Sequence, residues 1–313
     1  MSERLFIRIF AVLALVSLAA CKTVPLTYPD VIAPQATELA PVRAQRPVVA
    51  LVLGGGRERG YAHVGVIKAL EEEGIKVDMV VGTSVGSLIG ALYAGGMTAQ
   101  ELRQLALQLD ESDVEDYKIS KSGYVSGLLL QDFVNRALKN RSIEELSKPF
   151  VAVATNLGDG RSVEFNRGNT GMAVRASSSI PGVFQPVNIN GDTYVDGGVK
   201  HPVPVGVARR MGADIVIAVD ISRKPQDAEK PTSIINIMLQ SLRIMQQVVI
   251  QREIGDAQVI IHPKLGDTGE VDFATKLRLI EAGEEAARAA IPQIRELQRK
   301  MTRVEARELT SPQ

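Results

Sequence analysis

The sequence contains one cysteine, no tryptophan and three histidines among 313 residues. A single cysteine cannot form an internal disulfide, so the chain is not one of the small secreted scaffolds that several disulfides hold together. Only 4% of the residues are aromatic, which argues against a domain that stacks on bases or sugars. Lys and Arg together number 36, as do Asp and Glu, and the basic residues are scattered, so no nucleic-acid partner is indicated.

The N-terminus carries an apolar stretch that is too short to cross a bilayer. Residues 9–20 are almost all apolar and follow Arg4 and Arg8, an arrangement typical of a signal peptide. The stretch ends in Leu18-Ala19-Ala20-Cys21, which resembles the lipobox of bacterial lipoproteins. Small residues fit a peptidase groove, and the thiol of Cys21 is the group that accepts a diacylglyceryl chain.

These features predict a lipoprotein signal peptide over 1–20 and membrane attachment through a lipidated, palmitate-bearing Cys21. Two or more acyl chains anchor a protein durably, whereas one is marginal. Lys22, rather than Asp, follows the cysteine, which favours the outer over the inner membrane of a Gram-negative-type envelope. The alternatives are an ordinary signal peptide with a chance cysteine and a buried N-terminal helix.

The rest of the chain divides into a tether, a globular domain and a tail. Residues 21–46 contain Pro25, Pro29, Pro34 and Pro41 with little apolar periodicity, which predicts an extended tether. We expect the domain over 47–303 and a frayed tail over 304–313.

The domain begins with a strand, a glycine turn and a helix. Residues 47–53 are a short, β-branched apolar run typical of a strand buried on both faces. The turn Gly54-Gly55-Gly56-Arg57-Glu58-Arg59-Gly60 follows, and then a helical pattern over 61–73. Glycine-turn amides and a helix N-terminus together favour an anion. The spacing matches neither a dinucleotide fingerprint nor a P-loop, so the turn predicts oxyanion stabilisation, with a tight structural turn as the alternative.

A nucleophile elbow follows the second predicted strand, over 75–81. Gly82-Thr83-Ser84-Val85-Gly86 lies between this strand and a helix rich in small residues, the context that makes a G-x-S-x-G motif specific. The turn is strained, so the flanking residues Gly82 and Gly86 must lack side chains. We therefore expect Ser84 to be the nucleophile; a serine-capped helix is the alternative.

The serine needs a base, and the three histidines are poor candidates. His63 falls on the first helix, where a packed or hydrogen-bonded histidine is expected. His262 ends a predicted strand and, with Asp196 or Asp220, satisfies the chain order of an α/β-hydrolase triad. Nothing comparable surrounds His201, and three distant histidines with a lipidated cysteine do not form a metal site, so neither metal nor cofactor is expected.

The better candidate for the base is Asp196. It ends a predicted strand, Thr193-Tyr194-Val195-Asp196, and is followed by two glycines that leave little steric cover. A carboxylate in a dry site has a raised pKa and becomes a usable base. The alternative for this Asp-Gly-Gly is a plain turn.

Taken together, the motifs resemble the patatin-like phospholipase family over roughly residues 48–220. The family's glycine turn, serine elbow and later Asp-Gly-Gly occur here in the same order, as 55–60, 82–86 and 196–198. The segments 175–184 and 151–157 are also similar to the family's connecting segment and mid-chain strand. The resemblance implies an α/β fold, a three-layer α/β/α sandwich with a central, mostly parallel sheet.

The resemblance also implies a Ser84–Asp196 dyad, with the amides of Gly55, Gly56 and Arg57 as the oxyanion hole. Arg57 stands where the family has its third glycine. If only glycine can adopt the required backbone angles, Arg57 distorts the hole; we favour the other case, in which Arg57 has a negative φ and supplies its N–H equally well. Arg59 matches a basic position of the family and either meets a phosphate or holds the loop.

The predicted function is hydrolysis of an acyl ester in a phospholipid, lysophospholipid or other lipid. A non-catalytic lipid-binding or scaffolding lipoprotein and an acyltransferase are the alternatives. Helices predicted at 98–109 and 131–138 either cap the site, with residues 128–130 touching acyl chains, or are ordinary core helices.

Overall fold

The computed structural model describes residues 32–114, 116, 125–227, 230–269 and 271–310. The predicted signal peptide and Cys21 lie outside the described residues. The strands are β1 (Val49–Leu53), β2 (Met79–Thr83), β3 (Phe150–Asn156), β4 (Ser162–Phe165), β5 (Val187–Ile189), β6 (Asp192–Asp196), β7 (Ile215–Val219) and β8 (Val259–Ile261). The α-helices are α1 (Tyr61–Glu72), α2 (Val85–Ala94), α3 (Ala99–Gln108), α4 (Leu128–Ala137), α5 (Thr170–Ser177), α6 (Val205–Arg210), α7 (Ile234–Glu253) and α8 (Phe273–Thr310).

The strands form one mixed sheet in the described part of the chain, in the order β5-β6-β3-β2-β1-β7-β8, with β4 paired to β3 off this path. β3, β2, β1, β7 and β8 are parallel, and β4, β5 and β6 are antiparallel to their neighbours. β1, which the glycine turn follows, lies between β2 and β7. The carboxyl ends of the parallel strands therefore open at one edge, the usual position of a site in such folds.

Both faces of the sheet are covered. Alternate residues of β1 pack into two separate clusters: Leu51 and Leu53 join α1, α2 and α8 on one face, and Ala50 and Val52 join α6 on the other. This explains the continuous apolar run over 47–53, because a strand buried on both faces has no polar side. The predicted three-layer α/β/α architecture with a mostly parallel sheet is confirmed.

The helices that pack on the Leu51 and Leu53 side of the sheet are here called the first layer. In this layer α8 crosses α1 closely. A Cβ atom on Gly65 of α1 would lie 1.8 Å from the carbonyl oxygen of Ile280, and one on Gly283 of α8 would lie 2.0 Å from that of Ala62. The two helices approach so closely because neither glycine carries a side chain. Helix α8 continues to Thr310, beyond the domain boundary predicted at 303.

Residues 32–46, within the predicted tether, lie along the domain surface. Gln35 forms an antiparallel bridge with Arg167, and the Val42 N–H donates to the Met211 carbonyl oxygen at 2.8 Å. Leu39 and Val42 pack against the second apolar cluster. The extended tether stays a prediction for residues 21–31, which lie outside the described residues. None of the described helices is both long enough and apolar enough to span a membrane.

Candidate active site

The sheet brings the ends of β2 and β6 together on one edge of β3. β4 pairs with residues 152–155 of β3. This range overlaps both the part of β3 that pairs with β2 and the part that pairs with β6, so β2 and β6 must both lie along the opposite edge of β3. β2 is parallel to β3 and ends at Thr83 opposite Val153, whereas β6 is antiparallel and ends at Asp196 opposite Ala154. The two strands therefore run toward each other along this edge of β3, and Ser84 and Asp196 lie where their carboxyl ends face each other.

Ser84 occupies a strained turn between β2 and α2. Its φ of 56° and ψ of −130° lie in a region that residues other than glycine rarely adopt. A Cβ atom on Gly82 would lie 2.4 Å from the Gly86 carbonyl oxygen, and one on Gly86 would lie 2.1 Å from that of Leu53. Any side chain at either glycine would therefore collide with backbone.

The connecting segment over 175–184 forms hydrogen bonds with both the serine turn and Asp196. The Ser84 N–H donates to the Ser177 hydroxyl at 3.0 Å, and that hydroxyl donates to the Val153 carbonyl oxygen at 2.6 Å. The Ser179 carbonyl oxygen accepts the Asp196 N–H at 2.9 Å. This segment was singled out in the sequence only by family resemblance, because its role depends on contacts with two distant strands.

Asp196 is 5% exposed. The Gly198 N–H donates to its Oδ1 at 2.6 Å, and the Ser84 side chain lies close enough to lower its pKa. Burial is the larger effect and raises the pKa of Asp196 from 3.8 to about 6, while Ser84 and the Gly198 N–H oppose the shift. A carboxylate with this pKa is ionised at neutral pH and still has an appreciable affinity for a proton.

The glycine turn passes directly over Ser84. A Cβ atom on Gly55 would lie 3.3 Å from the Ser84 Cβ. However, the Gly55 N–H donates to the Pro202 carbonyl oxygen at 3.1 Å, so it is not available to an oxyanion. The N–H groups of Gly56 and Arg57 have no hydrogen-bond acceptor in the described part of the chain. Of the three amides predicted to form the oxyanion hole, Gly55 is therefore excluded, and those of Gly56 and Arg57 stay a prediction.

Arg57 differs from the expectation in its backbone angles. Its φ is +53°, so the predicted negative φ is wrong. The cause is the sharp entry from the extended Gly56 into the 3-10 turn over Arg57–Gly60. Arginine tolerates this left-handed conformation at a cost of roughly 1 kcal/mol, and the turn stays open enough for its N–H to remain unpaired.

The histidines lie away from the Ser84 hydroxyl. His63 is fully buried beneath the turn, where its Nε2 donates to the Gly54 carbonyl oxygen at 2.8 Å, and burial lowers its pKa to about 4. His262 pairs with Asp220, Nδ1 to Oδ2 at 3.2 Å, beyond the end of β8. β8 is three strands from β2, roughly 14 Å across the sheet, so this pair does not serve Ser84. His201 pairs instead with Glu253.

An apolar cavity opens from Ser84 between helices of the first layer. Its volume is about 1140 Å³, including solvent space at the mouth. α2 and α3 contribute Leu88, Leu92, Leu102 and Leu105, and Leu130 of α4 lines it as well. The segment over 97–149 therefore supplies much of the wall, and of the three leucines expected to touch acyl chains, Leu130 lines the cavity.

A second cavity, here called the polar cavity because four arginines line it, also has Ser84 in its wall. Gly56, Arg59 and Asp196 line it, together with Arg223 from the loop after β7 and Arg243 from α7. Arg59, predicted to meet a phosphate or to hold the loop, is 7% exposed at this wall. Arg223 and Arg243 were missed in the sequence because neither belongs to a motif.

Comparison with known proteins agrees with this geometry. The family model of patatin-like phospholipases matches residues 51–209. The chain belongs to the patatin-like phospholipase family. The matched range extends from β1 into α6 and includes the glycine turn, the serine elbow and Asp196, so the resemblance predicted from the motifs is confirmed.

Relatives share the core of this patatin-like chain. A Mycobacterium bovis protein described as an uncharacterized NTE family protein is 38% identical over 179 residues, which is 56% of this chain and 49% of that protein. Human patatin-like phospholipase domain-containing protein 6 is 36% identical over 186 residues, 57% of this chain and 14% of that protein. The chain thus spans about half the length, or less, of these relatives.

The fold is also similar to that of a solved structure, VipD from Legionella pneumophila. The two superpose with a TM-score of 0.55 over 91% of this chain and 73% of VipD, at 14% sequence identity. This similarity shows that most of the chain shares the fold of VipD.

Proposed function

We propose that the chain is a serine hydrolase of lipid acyl esters, with Ser84 as nucleophile and Asp196 as its general base. The observation that carries the proposal is the position of Ser84. Its hydroxyl meets a buried carboxylate at the junction of an apolar cavity and a polar one. An ester that joins an acyl chain to a polar alcohol fits this arrangement. Family membership supports the same chemistry.

The proposed reaction has two halves. Asp196 accepts the Ser84 proton while Oγ attacks the ester carbonyl, and the amides of Gly56 and Arg57 hold the oxyanion. When the tetrahedral intermediate collapses, the C–O bond to the alcohol breaks and the alcohol leaves with the proton from Asp196. Water then gives a proton to Asp196 and attacks the acyl-enzyme. When this second tetrahedral intermediate collapses, the bond between the acyl carbon and the Ser84 Oγ breaks, Oγ takes the proton back from Asp196 and the fatty acid leaves. Each oriented donor of this kind contributes roughly 3 kcal/mol in other hydrolases.

The proposal includes an anchor at the membrane that holds the substrate. Cleavage before Cys21 and lipidation of its thiol would attach the domain to the outer membrane of a Gram-negative-type envelope. The apolar stretch over 9–20 and the small residues before Cys21 support this part of the proposal.

A panel of lipids tests the activity. We expect the full chain to release fatty acid from phospholipid or lysophospholipid micelles, and Ser84→Ala to lose at least roughly 10³-fold in kcat. The exposed Ser147→Ala is the matched control and keeps full activity. No release by the wild type from any lipid would refute hydrolysis and favour a lipid-binding role, and transfer of the acyl group to an added alcohol in preference to water would favour an acyltransferase.

A further inference from the structure

Arginines from three separate chain segments converge on the polar cavity beside Ser84. Arg57 comes from the glycine turn, Arg223 from the loop after β7 and Arg243 from α7. Arg59 lines the same cavity, whose lining carries only two carboxylates, those of Glu58 and Asp196. The wall therefore has an excess of positive charge in a chain whose formal net charge is zero.

Arg57 pairs with Glu58, Nε to Oε2 at 3.7 Å, whereas the guanidinium groups of Arg223 and Arg243 are incompletely neutralised. Burial and then the like charge of Arg223 lower the pKa of Arg243, while Glu58 opposes the shift. The Arg243 Nη1 donates to the neutral Gln240 Oε1 at 3.2 Å. Arg223 pairs with Asp267, a side chain that is 71% exposed, so water screens the attraction. The Nε of Arg223 is buried and finds no acceptor among the described residues. Like charges held together in this way cost free energy that a bound anion would recover.

We propose that this arginine cavity binds the phosphate group of a glycerophospholipid substrate, with Arg223 and Arg243 as residues that determine specificity. The inference rests on the proposed function. Guanidinium groups bind phosphate oxygens through paired, charge-assisted hydrogen bonds. Because Ser84 lines both cavities, the acyl chain occupies the apolar cavity while the phosphate, a few bonds from the ester, occupies the arginine cavity.

A substrate pair tests this specificity. Phosphatidylglycerol and diacylglycerol with the same acyl chains are compared in mixed micelles. We expect Arg223→Gln and Arg243→Gln each to lower the ratio of kcat/KM for phosphatidylglycerol to that for diacylglycerol by roughly tenfold or more, mainly through KM. Arg243→Lys should restore part of the ratio, and the exposed Arg299→Gln should leave it unchanged. An unchanged ratio in the folded Gln variants would overturn the proposal.

A binding measurement separates this proposal from the proposed function. Calorimetry on Ser84→Ala, which has no turnover, measures the binding of glycerol 3-phosphate and of inorganic phosphate. We expect glycerol 3-phosphate to bind and a further Arg243→Gln change to weaken it roughly tenfold. If inorganic phosphate binds and glycerol 3-phosphate does not, the assignment of this cavity to the lipid headgroup is overturned. If glycerol 3-phosphate binds and the wild type hydrolyses no lipid, the phosphate site stands and the proposed function fails.

A second inference comes from the opposite side of α7. Six large apolar side chains on this helix are between 52% and 78% exposed: Ile234, Ile237, Met238, Ile244, Met245 and Val248. Their spacing of three and four residues puts them on one face of α7, here called the outer face. Leu239, Arg243 and Gln246 repeat with the same period on the inner face, which lines the arginine cavity.

We infer that the outer face of α7 lies on the surface of an anionic lipid bilayer. This inference also rests on the proposed function. Residues 234–252 contain two arginines and no acidic residue, and the Lys224 and Lys230 that precede the helix balance Asp227 and Glu229. The segment 224–252 therefore carries two net positive charges, which complement anionic headgroups. A bilayer on the outer face would lie next to the cavity that the lipid must enter, because the inner face of the same helix forms its wall.

Vesicle binding tests this contact without measuring turnover. The full chain with Cys21→Ala, which lacks the predicted anchor, is sedimented with phosphatidylethanolamine–phosphatidylglycerol vesicles. We expect binding that falls at least roughly tenfold on adding Ile237→Gln and Met245→Gln, and that is unaffected by Ile260→Gln, an exposed isoleucine on β8. Vesicle binding that the double change leaves unaltered would overturn the inference. A dimer that dissociates on the double change, with vesicle binding retained, would show instead that the outer face binds a second copy of the chain.

Discussion

At the scale of single residues, we propose that Asp196 activates Ser84 in the place of a histidine. Its carboxylate is buried, and in the described part of the chain the Gly198 N–H donates to it while Ser84 lies close enough to lower its pKa. Complete solvation would leave its pKa near 3.8, where it is a weak base, whereas burial raises the pKa to about 6. In the proposed mechanism, desolvation gives this carboxylate the proton affinity that other hydrolases obtain from imidazole.

The raised pKa has a consequence for stability. Asp196 binds a proton more tightly in the folded state than in the unfolded one, so its ionisation costs stability increasingly between pH 3.8 and about 6 and fully above. The full cost is ~3 kcal/mol. We therefore expect Asp196→Asn to raise Tm at pH 8 and to have little effect at pH 4, while it abolishes most of the activity. Thermal unfolding across this range measures it, and a lower Tm at pH 8 would contradict the account.

The same ionisation predicts the dependence of activity on pH. The base must be deprotonated to accept the Ser84 proton, so kcat/KM on a neutral, soluble ester should rise with pH and level off above about 6. A profile that is flat from pH 4 to 8 would assign the base to another group.

At the scale of elements, the position of the site follows from two strands that end against each other. Each strand has its own apolar pattern, and the sequence predicted β2 and β6 separately with the serine and the aspartate at their ends. That β6 is antiparallel and shares an edge of β3 with β2 depends on long-range pairing, which local pattern does not contain. The short β4 and β5 were not predicted for the same reason.

The crossing of α1 with α8 gives a prediction for the first layer. Gly65→Ala would put a methyl group 1.8 Å from the Ile280 carbonyl oxygen, so the helices must separate. We expect a loss of about 2 kcal/mol or more in the free energy of unfolding, measured by urea denaturation. Gly255→Ala is the control, because nothing lies within 4 Å of its added Cβ and the change should be nearly neutral. Equal stability of both variants would contradict the close crossing.

At the scale of the whole molecule, the site joins parts that the sequence keeps far apart. The apolar cavity depends on α3 and α4, and the arginine cavity on a loop after β7 and on α7. Short motifs predicted the turns that hold Ser84 and Asp196, because strained turns demand glycine at fixed spacing. The motifs did not predict that the Gly55 N–H donates to the Pro202 carbonyl oxygen, because Pro202 lies more than a hundred residues away in the sequence. They also did not predict the positive φ of Arg57, because that angle depends on the path of the turn.

The predicted anchor is also a property of the whole molecule. We expect the full chain, expressed in a Gram-negative host, to incorporate an alkyne analogue of palmitate, and Cys21→Ala to incorporate none. In-gel detection of the label measures this, with Ser84→Ala as a control that is labelled like the wild type. Labelling of Cys21→Ala would show that the acyl chain is attached elsewhere.

The most direct test of the reacting pair is the rate at which a fluorophosphonate labels the protein, followed by peptide mapping. The account predicts one phosphonylated residue, Ser84, with a rate that rises through an ionisation near pH 6 and falls at least roughly 10³-fold in Asp196→Asn. A label on another residue, or a rate in Asp196→Asn equal to that of the wild type, would contradict it.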